Sequence, residues 1–148
     1  MNAHVRLLLF LLFMLGVSTL ASAKPVNTTF TGLALKGYDP VAYFTLGRPV
    51  KGDARLTFEW KGATWRFSTT EHRNAFVAEP ERYAPSYGGY CAWAMSQGRL
   101  ANIDPEAWKI VSGKLYLNYN DDIQKRWERD IPGFIAKADA AWVRQLNP

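Results

Sequence analysis

The sequence predicts an α+β domain: a small antiparallel sheet from two β-hairpins, each hairpin followed by a capped helix. Three observations predict it. Alternating apolar and polar residues flank two X-Gly dipeptides, Lys61-Gly62 and Ser112-Gly113, the signal of a tight hairpin turn. Helix-capping residues, Ser68 and Asn120, follow the two hairpins. No linker-like change of composition separates the halves, so a single domain is expected.

Asp39-Pro40 predicts the first helix. Asp39 caps free amides, Pro40 tolerates the first helical position, and the helix should end near Phe44, before Gly47 and Pro49. Leu56–Trp60 and Ala63–Phe67 alternate with a period of two and form the first hairpin. Ser68 with Glu71 three residues on reads as a capping box, starting a helix over 69–78 with Ala75 and Phe76 inward. Pro80 allows a turn and a short helical piece through Tyr83. Tyr87-Gly88-Gly89-Tyr90 leads into a short small-residue and aromatic segment that Gly98 closes. Trp108–Val111 and Lys114–Tyr119 form the second hairpin. Asn120 caps a helix carrying Ile123 and Trp127 on one face. Pro132 should break it, with Phe134–Leu146 resuming the pattern. Asp39-Pro40-Val41-Ala42-Tyr43 and Asp104-Pro105-Glu106-Ala107-Trp108 share a pattern, but their spacings to the hairpins differ, and no fixed period supports a duplication.

The 148 residues are 48% hydrophobic and 21% charged, which excludes a disordered or fibrous chain. Residues 1–23 read as a secretory signal: Arg6, an apolar run over 7–17, then Ala21-Ser22-Ala23. Eleven residues of helix reach roughly 16 Å, about half of a bilayer core, so a cleaved signal and an exported, periplasmic or secreted domain over 24–148 are expected, with no stable membrane span after cleavage. The segment Asn27-Thr28-Thr29 fits a glycosylation sequon, relevant only in a eukaryotic secretory pathway. Cleavage would remove Arg6 and no carboxylate from a chain of net charge +5. The remaining positive charge is dispersed, so no nucleic-acid partner is expected.

Gly37-Tyr38-Asp39-Pro40-Val41-Ala42-Tyr43-Phe44, then Trp60-x-Gly-x-x-Trp65-Arg66-Phe67-Ser68, then Phe76-x-x-x-Pro80-x-x-Tyr83 resemble the YHS domain. Tyr87-Gly88-Gly89-Tyr90-Cys91-Ala92 and Gly113-Lys114-Leu115-Tyr116-Leu117-Asn118 resemble its exported bacterial branch, and the match spans about 33–145. The resemblance implies metal handling. Where those relatives place cysteines after Asp-Pro-Val and before the strand-ending Ser, this chain has Ala42 and Phe67. The resemblance further implies that the reactive residue of this branch is at the Cys91 position, where some members carry selenocysteine.

Residues 24–148 hold one Cys (Cys91), one His (His72) and one Met (Met95). A Cys/His structural zinc site and a blue-copper centre both need more ligands than this. A two- or three-coordinate site for a soft ion, copper as Cu(I), stays open, with Cys91 and Met95 as ligands, sharing a face if their segment is helical, and His72 as a third. The competing readings of Cys91 are a reactive thiol that needs a thiol partner protein, and inert packing. For His72 the competing reading is a solvated helix surface, and for Asp39 helix capping rather than ligand contact. Tyr38, Tyr87 and Tyr90 either line a binding pocket or pack in the core. The functional expectation is thus a binding module for a soft metal, with a thiol redox protein and a non-catalytic interaction domain as alternatives. No catalytic triad or phosphate loop is evident in the sequence, and it does not indicate an oligomeric state.

Overall fold

The computed structural model describes residues 21–148, so the expected signal segment lies outside the described residues except for Ala21–Ala23. Among those residues no helix is long and apolar enough to cross a membrane. The fold is α+β, as the hairpin and capping signals predict. The hairpins do not merge, however, and each remains its own two-stranded antiparallel sheet.

The first half begins with a turn in which Leu35, Lys36 and Gly37 all have positive φ (51°, 52° and 80°). Asp39 then caps α1 (Pro40–Thr45), accepting from the Val41 and Ala42 amides. Hairpin strands β1 (Asp53–Trp60) and β2 (Ala63–Phe67) pair across Lys61-Gly62, both at positive φ, as a type I′ turn requires. Helix α2 (Thr70–Ala78) follows, and α3 (Pro80–Tyr83) ends the half. The cap of α2 is Thr69 rather than the expected Ser68. Thr69 Oγ1 accepts from the His72 amide, while the Ser68 hydroxyl is drawn to the buried Asp39 carboxylate at 2.6 Å. A charged acceptor in the interior outcompetes a local capping bond.

The second half repeats this plan. Tyr87, Gly88 and Gly89 have positive φ (57°, 60° and 80°), nearly the values of Leu35–Gly37. Cys91 caps the short α4 (Ala92–Ser96). Strands β3 (Trp108–Val111) and β4 (Lys114–Leu117) pair across Ser112-Gly113, again at positive φ. Strand β4 ends two residues before the expected Tyr119, because Asn118 turns into the core. Asn120 caps α5 (Asp121–Trp127) through the Ile123 amide. The interruption expected at Pro132 falls earlier. Asp130 leaves the helical conformation and caps α6 (Ile131–Leu146), with Pro132 in its first turn, where a missing amide costs little.

The halves therefore correspond, in a register different from the Asp-Pro pattern. Gly37-Tyr38-Asp39 matches Gly89-Tyr90-Cys91, not residues 104–108. The two caps even spend their own amides alike: Asp39 donates to Val50 O at 2.8 Å, and Cys91 to Ala101 O at 3.0 Å. The fourth residue of each following helix reaches back to the edge of its hairpin. Arg73 Nε donates to Thr57 O at 2.6 Å, and Gln124 Nε2 to Trp108 O at 3.2 Å. Both contacts cover strand carbonyls that would otherwise be open to pairing.

Trp65, Phe67 and Phe76 anchor the core of the first half, and Leu115 and Leu117 that of the second. Tyr43 joins the halves. Its hydroxyl donates to Pro105 O at 2.9 Å, and its ring meets Trp108 edge-on at 5.1 Å. Helix α6 closes the far side, packing Ala138 and Ala141 with Tyr87, Met95, Tyr116 and Trp127.

Candidate functional site

Two buried polar centres occupy equivalent places, one in each half. In the first, the Asp39 carboxylate is fully buried and has five donors. Oδ1 accepts from the amides of Val41 (2.9 Å) and Ala42 (3.3 Å); Oδ2 accepts from the Ser68 amide (2.9 Å), the Ser68 hydroxyl (2.6 Å) and His72 Nδ1 (2.6 Å). Helix capping and long-range bridging thus act through one side chain, which satisfies a charge that would otherwise be costly to bury. His72 is not a solvated surface residue: its side chain is 14% exposed, and its second nitrogen lies 3.0 Å from Thr45 Oγ1.

Thr45, His72 and Asp39 stand in the order of a hydrolytic triad, but the surroundings oppose that chemistry. Thr45 ends a helix, where carbonyls rather than amides converge, and its hydroxyl also lies 3.1 Å from Val41 O. A hydroxyl has one proton, so it serves either the imidazole or the helix carbonyl. The next amide, that of Leu46, is committed to Ala42 O. The arrangement locks α1, the end of β2 and α2 together.

In the second half, Cys91 takes the place of Asp39, and Asn118 that of Ser68. Cys91 is fully buried. Its thiol donates to Asn118 Oδ1 and accepts from the Ala94 amide, both at 3.5 Å. The same Asn118 oxygen accepts from the Trp93 amide, and its Nδ2 donates to Gln124 Oε1 at 2.6 Å. Burial pushes the thiol above its ordinary value, and the amides of Ala94, Tyr119 and Trp93 only partly offset that. Cys91 does sit at a helix start, a place that favours a thiolate, but desolvation wins.

The three expected soft-metal ligands do not converge. Cys91 packs with Leu35, Tyr43, Leu115 and Leu117, whereas Met95 faces Tyr87, Tyr116 and Trp127 in a separate cluster. Although Cys91 and Met95 are four residues apart, Cys91 is the cap, outside the helical turn, so its sulfur points elsewhere. His72 is bound into the Asp39 centre of the other half. Among the described residues no three His, Cys, Asp or Glu side chains gather as a metal group.

A separate feature lies between the halves. Both hairpin turns, α3, the Ser86–Gly88 turn and the end of α6 enclose an open cleft of about 690 Å³, within the range of small-molecule sites. Trp60, Trp65, Tyr87 and Trp142 supply its aromatic walls. Lys61, Arg82, Lys114 and Glu81 are its charged residues. Of the three candidate pocket tyrosines only Tyr87 lines it. Tyr38 packs against the Cys91 cluster, and Tyr90 packs on Trp142 at 5.9 Å. Burial raises the Tyr87 hydroxyl, with a further contribution from its 2.8 Å bond to Asp139. Gly88 holds the cleft's edge together: a Cβ there would strike the carbonyl oxygen of Pro25, and the amide of Asn27, two residues on, donates to Gly88 O.

Sequence reasoning missed Ser68 and Asn118 as interior partners, and the tryptophans as one wall. The available signal was the matched position of Ser68 and Asn118 directly after their strands. The wall itself joins residues more than 80 positions apart. Comparison with family models, with curated proteins and with solved structures finds no match.

Proposed function

We propose that this chain is a non-catalytic binding module of the YHS type, acting in an exported compartment, whose ligand seats in the cleft between the two halves. The observation that carries this reading is the contrast between an open aromatic cleft and a sealed thiol. The cleft offers flat apolar surface and a few charges, the usual chemistry of a small-molecule site. The thiol is fully buried, is raised by desolvation and has only amide partners.

The readings of Cys91 as a copper ligand or redox thiol draw less support, since either requires a sulfur that an ion or a partner thiol can reach. A Cu(I) titration against a chromophoric chelator, run on the folded chain and on Cys91→Ser, separates the readings. We expect no stoichiometric uptake that depends on Cys91, together with slow alkylation of the folded protein. Tight one-to-one uptake abolished by Cys91→Ser would replace the cleft reading with the copper one.

A further inference from the structure

The charges of the cleft point to the class of its ligand, an inference that rests on the binding-module reading above. Three cations line the cavity against one carboxylate, Glu81. Two of those cations are already engaged. Lys61 bonds to Glu81 at 2.8 Å with its ammonium 4.5 Å from the centre of the Trp60 ring, and Arg82 bonds to Glu79 at 3.0 Å. Lys114, beside the second hairpin turn, is exposed and makes no ion pair among the described residues. The aromatic walls reach the same space from opposite halves, Trp60 and Trp65 from the first hairpin, Tyr87 and Trp142 from the second half.

We propose that the cleft binds a small ring-bearing carboxylate, its ring against the aromatic wall and its carboxylate at Lys114. The flat face of the ring supplies contact with Trp60 and Trp142, and the anion answers Lys114, the cleft cation that makes no ion pair among the described residues. An aromatic acid and a sugar acid share this chemistry, so each forms one arm of the test.

The six tryptophans provide an internal control. Indole N–H signals of ¹⁵N-labelled protein are followed by NMR while 2-naphthoate or digalacturonate is added, with 2-naphthol and lactose as neutral counterparts. One acid should shift Trp60, Trp65 and Trp142 and leave Trp93, Trp108 and Trp127 in place, at an affinity clearly above that of its neutral counterpart. The arm that responds identifies the ring. Lys114→Gln, an exposed site that leaves the fold intact, should weaken that acid about two- to fivefold and leave the neutral compound unchanged. Equal binding of acid and neutral compound would overturn this inference and leave the binding-module reading standing. No shift at the three cleft indoles with any of the four compounds would overturn this inference, and with it the support for a small-molecule cleft.

Discussion

The two halves of this molecule share a backbone and differ in what fills one position. Residues 35–78 and 87–127 both run through a left-handed turn, a cap, a short helix, a hairpin with a type I′ turn and a capped helix. At the cap, the first half has Asp39 facing His72, and the second has Cys91 with Ile123 packed against its cluster. His72 and Ile123 are both the third residue of their helices. A buried polar bridge in one half is thus answered by an apolar contact in the other. The same architecture can be closed by charge or by packing. Cys91 is the weakly polar counterpart of the Asp39 cap, its sulfur bonding Asn118 Oδ1 and the Ala94 amide where Asp39 holds five donors.

The largest effect should come from removing the charge. Asp39→Ala leaves four groups of the chain and the His72 ring without their acceptor, and should cost about 3–5 kcal/mol in urea unfolding. Cys91→Ala, at the matching position, should cost about 1–2 kcal/mol, since only a small hydrophobe and weak sulfur bonds are lost. Equal losses at the two caps would break the comparison.

Transplanting the polar bridge sharpens it. Cys91→Asp alone buries a carboxylate with few donors and should destabilise strongly. Adding Ile123→His should restore part of the loss, with a coupling of about 1–2 kcal/mol in a double-mutant cycle. Additive losses would mean that the two positions do not face each other as Asp39 and His72 do.

Alkaline pH should affect the second half first. Cys91, Tyr87, Tyr90 and Tyr116 are all raised chiefly by burial, against Tyr43 alone in the first half. A raised group keeps its proton in the folded chain while the unfolded chain releases it. Its stabilisation is therefore complete below the unfolded value and declines above it. The urea midpoint should fall from about pH 8.5, where a free thiol ionises, and more steeply near pH 10, where free tyrosines do. Cys91→Ala should delay the onset. A midpoint that stays flat to pH 11 would contradict the burial of these groups.

The smallest effect concerns the paired helix caps. Thr69→Ala and Asn120→Ala should each cost about 1 kcal/mol, because each side chain holds one amide of the first turn. A difference well beyond that between the two would show that the second helices are not equivalent supports.

Most of the secondary structure was legible because its causes are local. Lys61-Gly62 and Ser112-Gly113 sit between alternating strands, where glycine permits the positive φ that a two-residue hairpin turn needs, and Asp39-Pro40 starts a helix from its own atoms. The Ser68 cap was misread because the competitor, Asp39, lies 29 residues away and is visible only once the chain has folded. The same limit applies to the site. A count of residues shows that Cys91, Met95 and His72 are the only Cys, Met and His of residues 24–148, but not that the cap position turns one sulfur away from the other.

Chain order alone was enough for the α+β class, the hairpins and the order of the helices, since turn conformation, alternation and capping act over a few residues. Only the folded chain decided that the two sheets stay apart, that the halves correspond through Asp39 and Cys91, and that tryptophans from both ends share one cleft. Those outcomes depend on desolvation and on contacts between distant segments, and neither is a property of any short stretch.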